Sequence, residues 1–318
     1  MVERIPISRP FSASSRSKFI KRDKEGVASV IGTILALLVF MTFLTMFTNT
    51  WIPVWMKENE KNHMDESLTQ FGEMKGKIDS LIVNAQVTQK PTINMFQTIN
   101  LGSDGVPIFS SPTAGYLFLK PGGANDTGVN VNFNYNFYNT VVGVNENGGG
   151  CVEFYAPNRY YVPQWYAYEN GAIIVSQDTG MAMRATPSLV FSVNNDSSVN
   201  VQFDQVDFIG SNDTIVGLGT AGIIIDLIYH DSQTYMVCGS TNPETNGKLV
   251  LEFTTRYNTT WASFIDDAAQ SAGLENYNLT TTILSYGEYR PIYVLTLTID
   301  NVNQFTHNRA YVNLDLEY

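Results

Sequence analysis

The sequence predicts an α+β chain: an N-terminal transmembrane helix and an amphipathic stalk, followed by a mainly antiparallel, sandwich-like β head with one short helix. Three observations predict it. Residues 27–56 carry no charge and are mostly apolar, residues 57–82 set apolar side chains three and four apart, and from residue 91 onward apolar and polar residues alternate. A helix returns to one face every 3.6 residues and a strand every two, so the change of period marks a change of structure. The expected organisation is a leader over 1–26, a membrane helix over 27–52, a stalk over 53–87 and a head over 91–318.

The leader holds seven basic residues (Arg4, Arg9, Arg16, Lys18, Lys21, Arg22, Lys24) against three acidic ones (Glu3, Asp23, Glu25). Basic flanks are retained in the cytoplasm, so the head is expected outside. An uncharged run longer than about 18 residues reads as a membrane span, because in lipid each backbone amide must be satisfied within the helix. A secretory signal has a shorter apolar core and a small-x-small cleavage site. Here Trp51, Pro53 and Trp55 follow instead, and the two tryptophans suit an interfacial belt. Thr42, Thr45, Thr48 and Asn49 make the outer half less apolar. Ala28, Gly32 and Ala36 recur every four residues, a small-residue stripe that lets helix backbones approach closely in lipid.

Residues 24–40, KEGVASVIGTILALLVF, resemble the N-terminus of archaeal type IV pilin-like proteins. The likeness lies in the order of charged leader, Gly, small residues, Val-Ile-Gly-Thr and long apolar helix, and it covers about thirty residues. The following stretch, through Pro53 and Trp55 to Ile82, is similar to that of large archaeal members of the group. The resemblance implies a prepilin peptidase as partner, cutting between Gly26 and Val27. It also implies an archaeal cell-membrane address with a cytoplasmic N-terminus and an extracellular head. Self-association, or association with other pilin-like subunits, would run through the N-terminal helix. This chain departs from the pattern at Val30, where the family often has Pro, and at Ile31, where bacterial pilins carry a glutamate.

Beyond Pro53, Met64, Leu68, Phe71, Met74, Ile78 and Leu81 share one helical face. Lys57, Glu58, Glu60, Lys61, Asp65, Glu66, Glu73, Lys75, Lys77 and Asp79 are read as the polar remainder. Pro53 lacks an amide proton and should disturb the junction. The stripe is little more than two heptads long, too short for a confident coiled coil, and is expected to pack on the chain's own head.

In the head, Val129, Val131, Phe133, Tyr135 and Phe137 alternate with Asn130, Asn132, Asn134 and Asn136, the pattern of a half-buried antiparallel strand. Val199, Val201 and Phe203 repeat it, as do Tyr293, Leu295, Leu297 and Ile299. Ile223, Ile224, Ile225, Leu227, Ile228 and Tyr229 form a continuous apolar run suited to a strand covered on both faces. Turn-forming clusters at 121–123, 145–150, 194–198, 210–213 and 242–247 separate these runs. One helix is expected near 260–272, and if the head divides, the hinge is near 241–247.

The net charge is −11 from 19 basic and 30 acidic residues; without the leader, 12 basic face 27 acidic, or −15. Such a surface cannot supply the phosphate-neutralising patch that nucleic acid requires, so no nucleic-acid partner is expected. Cys151 and Cys238 lie 87 positions apart. Outside the cytoplasm they could pair, closing a loop worth about 3 to 5 kcal/mol on the entropic model; two buried free thiols are the alternative.

No catalytic residue, cofactor or metal site is expected. Gly217-Leu218-Gly219-Thr220-Ala221-Gly222 has dinucleotide-fingerprint spacing but leads into a strand, not a helix, and is read as a turn or bulge. His63, His230 and His307 sit far from one another and at no metal-ligand spacing. Tyr160, Tyr161, Trp165, Tyr166 and Tyr168 are read as core packing in preference to a sugar-stacking platform. Five N-x-S/T sequons begin at Asn125, Asn195, Asn212, Asn258 and Asn278, mostly in turn-like segments that a glycosyltransferase could reach. Together these features point to a non-enzymatic membrane-anchored surface protein, a pilin-like or pilus-associated subunit with a structural or adhesive role. The alternative is a monomeric anchored envelope domain that binds carbohydrate or a partner and forms no filament.

Overall fold

The structure, a computed structural model, describes residues 24–88, 93–123, 127–138, 140–237, 247–286 and 290–317, with backbone alone for 24–27. The chain forms two compact units, one ending at Trp51 and the other spanning Ile52–Tyr318. The loop at 241–246 falls outside the described residues.

The first unit is helical: α1, Lys24–Met46, and a π-helical turn, Phe47–Trp51. Pro53 has no N–H for the carbonyl of Asn49, and such an interruption is a common cause of local widening. Apolar side chains around all of α1 stand open, from Met41 at 53 % to Phe43 at 66 %. The threonines bond inward: Thr33 Oγ1 donates to the Val30 carbonyl at 2.8 Å, Thr42 to Leu38 at 2.9 Å, Thr45 to Met41 at 2.7 Å and Thr48 to Leu44 at 3.0 Å. The described residues contain one helical stretch long and apolar enough to cross a membrane, and it lies near the N-terminus.

The second unit begins with α2, Ile52–Thr88, and places it against two β-sheets. The smaller sheet is antiparallel in the order β11 (Asp213–Gly217), β2 (Gly115–Pro121), β5 (Gly150–Ala156), β6 (Gln164–Glu169), β7 (Ala172–Gln177), β8 (Gly180–Ala185). The larger runs β1 (Met95–Asn100), β12 (Thr220–Met236), β15 (Pro291–Glu317), β13 (Gly247–Thr255), β3 (Gly128–Phe137), β4 (Thr140–Gly148). Beside β15 lie β14 (Tyr277–Tyr286) and β10 (Val199–Ile209), and β10 carries β9 (Leu189–Val193). Among the described residues, all strand pairings are antiparallel except β10 with β15.

Two apolar cores result. The first joins Met64, Phe71, Met74, Ile78 and Leu81 of α2 to Val152, Phe154, Tyr166 and Tyr168 of the smaller sheet and to Ile223, Ile225, Val312 and Leu314 of the larger. The stalk stripe is therefore buried in its own head; at roughly 1.5–3 kcal/mol for each large side chain, those five residues supply on the order of 10 kcal/mol of gross burial energy. The second core packs Ala167, Ala172 and Ile174, on the opposite face of the smaller sheet, against β3, β13, β15 and helix α3 (Asn258–Ser271). The strands covered on both faces are thus β5, β6 and β7. The run in β12 is instead half-buried: Ile223, Ile225 and Leu227 face the core while Ile228 and Tyr229 are open to solvent. The aromatic group divides, with Trp165, Tyr166 and Tyr168 buried and Tyr160 exposed. The expected turn at 145–150 is mostly strand, because β4 runs to Gly148 and β5 begins at Gly150. Gly148 is needed there, since a Cβ would stand 2.0 Å from Asp207 Oδ1.

Side chains of α2 also cover the outer edge of β1. His63 Nε2 donates to the Asn100 carbonyl at 2.9 Å, Gln70 Oε1 accepts from the Asn100 amide at 2.9 Å, and Lys77 Nζ donates to the Phe96 carbonyl at 2.8 Å. The strongest tie is Glu60, fully buried although the sequence reading put it on the polar face. It follows Met56 and precedes Met64 by one turn each, so it lies on the buried stripe. Its carboxylate accepts from the amides of Arg159 at 3.0 Å, Tyr160 at 2.8 Å and Tyr161 at 2.6 Å, and from Thr113 Oγ1 at 3.1 Å. Three successive amides form an anion-binding nest.

Glu60→Ala leaves those buried donors unpaired and should destabilise the head by roughly 3 kcal/mol or more. Exposed Glu58→Ala should change stability by less than about 0.5 kcal/mol. Urea unfolding followed by tryptophan fluorescence in detergent distinguishes the two; equal midpoints would contradict the role given to Glu60.

Candidate functional site

Gly26 and Val27 lie in the first turns of α1. Ala28, Gly32 and Ala36 are exposed, and a Cβ built on Gly32 meets nothing within 4 Å. A shallow groove of small residues therefore runs along a helix with no covered face.

Cys151 is buried in β5 as a free thiol, while Cys238 lies outside the described residues. Burial pushes the Cys151 thiol well above its ordinary pKa, and the Glu153 carboxylate adds to the shift, so it is a protonated, unreactive group. Among the sequons, Asn125 is outside the described residues. Asn195 and Asn212 are exposed in turns, Asn258 is half-buried at the start of α3, and Asn278 is exposed on β14. The glycine-rich segment connects β11 to β12, with the Gly219 carbonyl accepting from the Leu101 amide at 2.8 Å; a strand follows it, as expected for a turn.

Around Cys151 the sheets enclose two carboxylates of opposite electrostatic character. Glu153 accepts from Lys120 Nζ at 2.7 Å, Arg256 Nη1 at 3.1 Å and the Tyr257 hydroxyl at 2.8 Å. Glu169 has neutral donors: Trp261 Nε1 at 2.6 Å, Thr255 Oγ1 at 2.8 Å and Thr127 Oγ1 at 3.4 Å. Burial raises its pKa from 4.5 to about 7, opposed by the hydrogen bonds from Thr255 and Trp261. Another buried carboxylate, Asp207, accepts at Oδ2 from both Arg309 Nε at 3.0 Å and Nη2 at 2.6 Å, and Arg309 also bonds Glu146. Next to this pair His307 Nε2 lies 3.0 Å from Gln205 Oε1, and burial followed by the Arg309 charge lowers the imidazole to about 4.

A cleft of about 300 Å³ opens between α2 and the larger sheet, flanked by Lys75, Asp79 and Gln86 on the helix and by Asp204, His230 and Asn308 on the strands. Lys75 pairs with Asp79 at 3.0 Å, Asn308 Nδ2 donates to Asp204 Oδ1 at 2.6 Å, and Gln86 Nε2 lies 3.2 Å from His230 Nε2. Burial lowers the His230 pKa, keeping the ring neutral. The cleft can offer hydrogen bonds to a small polar molecule, but His230 is engaged by an amide and faces no hydroxyl or thiol nucleophile in any described contact. Sequence reasoning named Cys151, His230 and His307 but not the buried acid clusters, because Glu60, Glu169 and Arg309 meet partners more than 90 positions away. The stripe position of Glu60 was the one local signal.

Because the folded pKa of Glu169 exceeds its unfolded value, its stabilising contribution is complete below about 4.5 and is lost as pH rises through about 7. Stability should therefore decline across that window, and Glu169→Gln should flatten the decline. Denaturation midpoints from pH 4.5 to 8 check this, and an unchanged slope in the variant would contradict it.

Comparison with protein-family models, curated proteins and solved structures finds no match for this chain.

Proposed function

We propose that the chain is a single-pass surface protein anchored by α1, with its leader in the cytoplasm and its β head outside, acting as a pilin-like or pilus-associated subunit. The observation that carries the reading is α1 itself. It is apolar and uncovered on every face, and its threonine hydroxyls are satisfied by the helix's own carbonyls, which suits a solvent without hydrogen-bond partners. The stalk stripe is used up inside the head, which leaves α1 as the long apolar surface free to associate. The Ala28–Gly32–Ala36 groove suits close helix contact, and the order of residues around Gly26 and Val27 suits a prepilin peptidase. The cleft beside His230 favours a second reading, a monomeric anchored domain that binds a small polar ligand such as a carbohydrate.

The mature protein is expected to begin at Val27, and Gly26→Asp should block processing. Mass spectrometry finding residues 1–26 intact on the mature protein would count against the pilin-like reading. Protease added to intact cells should remove the head and spare the leader side of the membrane; a resistant head, beside a control that is cut, would reverse the orientation.

Gly32→Leu and Ala36→Phe add bulk without lowering apolarity, so anchoring should persist while helix-mediated oligomers or filaments decrease. Equal crosslinking in wild type and both variants would favour the monomeric domain.

A further inference from the structure

A sheet edge presents unpaired backbone donors and acceptors, and proteins cover it, charge it or keep it short. At β1 the cover is α2, whose side chains bond Phe96 and Asn100. At β14 the treatment differs. This strand is ten residues long, hydrogen-bonds β15 on one side and, among the described residues, has no other strand partner. Its sequence, YNLTTTILSY, contains no charge and no proline in a chain of net charge −11. Ile283 is 54 % exposed and Leu284 55 % exposed, and Thr280, Thr281 and Thr282 are open. The near end is held in place by the Tyr277 hydroxyl, which donates to Asp266 on α3 at 2.9 Å.

We propose that the outer edge of β14 pairs with β14 of a second copy of this chain, as an antiparallel, two-fold symmetric extension of the larger sheet. The order of residues names the occupant. The segment 279–283, Leu-Thr-Thr-Thr-Ile, reads nearly the same in both directions, so a two-fold axis at Thr281 sets like against like. Leu279 faces Ile283 of the second copy, Thr280 faces Thr282, and Thr281 faces itself. Residues facing one another in an antiparallel pair point their amides in the same sense relative to the shared edge, which requires an even sum of positions, and this register has one. The register of β14 against β15 is regular over 277–283 and slips only between Ile283 and Ser285, so the symmetric segment lies on undistorted strand. Cross-strand Thr–Thr and aliphatic pairs are favourable, and an uncharged edge avoids the repulsion that two acidic surfaces would otherwise meet. A two-fold contact is isologous and closes on itself, giving a dimer and not a fibre. One strand pair buries little area, so the contact is weak in solution and gains from confinement of both copies to one surface. It does not depend on leader removal or on association through α1.

The test uses the full-length chain in detergent, by sedimentation velocity across a concentration series. Wild type should show a monomer–dimer equilibrium. Thr281→Lys, which sets two ammonium groups against each other at the axis, should weaken it by about tenfold or more with an unchanged thermal midpoint. Gly32→Leu should leave this dimer intact, whereas loss of the dimer in Gly32→Leu with retention in Thr281→Lys would assign association to α1 and overturn the proposal. A wild type that stays monomeric overturns it as well. In a Cys238→Ser background, Thr281→Cys should form an intermolecular disulfide under mild oxidation far faster than Tyr286→Cys, because facing residues in an antiparallel pair lie within disulfide reach. Equal rates would reject the register, and this measurement stands even if the lysine variant fails to fold.

Discussion

Both cores depend on one strand changing allegiance along its length. β15 borders β13 and β14 through its first half and β12 and β10 through its second. The change occurs at Asn301, whose φ of 64° lies in the left-handed region that asparagine tolerates better than most residues. Its side-chain amide donates to the Ser197 carbonyl at 2.7 Å, and the pairings with both β10 and β13 slip in register around Val302. Leu295, Leu297 and Ile299, and beyond the slip Val302 and Phe305, enter the α3 core; Ala310, Val312 and Leu314 enter the α2 core. Alternate residues of a strand stand on opposite faces, so Phe305 on one face and Ala310, Val312 and Leu314 on the other let β15 serve both layers.

Around that frame, an acidic chain encloses carboxylates and meets the cost of dehydrating them in different ways. Glu60 receives successive backbone amides, Glu153 a lysine, an arginine and a tyrosine, and Asp207 a forked arginine. Glu169 receives only uncharged side-chain donors, and burial raises its proton affinity to about 7. At Glu169 the hydrogen bonds satisfy the carboxylate without fully replacing its hydration.

What could be read from the sequence follows from how far each signal extends along the chain. The apolar helix, the stalk stripe and α3 announce themselves within a few turns, and the alternation in β3 and at the start of β10 survives because one face of each is less buried. β5, β6 and β7 are sandwiched between two cores yet contain Glu153, Gln164 and Glu169, so their composition resembles that of half-exposed strands. Conversely, the isoleucines of β12 suggested double coverage, although Ile228 is open. Polar residues disguised the buried strands because their partners, such as Tyr257, Trp261 and Arg256, come from a distant part of the chain. The Asn170 side chain accepts from the Val206 amide and donates to the Asp204 carbonyl, contacts that no local pattern around Asn170 and Gly171 could announce.

The grip on α2 has a mechanical consequence. Buried contacts run from Ile52 to Leu81, about 44 Å of helix at 1.5 Å per residue. Tension applied along the helix axis would load that seam in shear, so apolar contacts and the Glu60 nest must slide together instead of peeling one by one. A helix held this way resists pulling better than its equilibrium stability alone would suggest, and the weakest point under tension shifts toward the π-helical turn at Phe47–Trp51, where the described contacts of the seam have not yet begun.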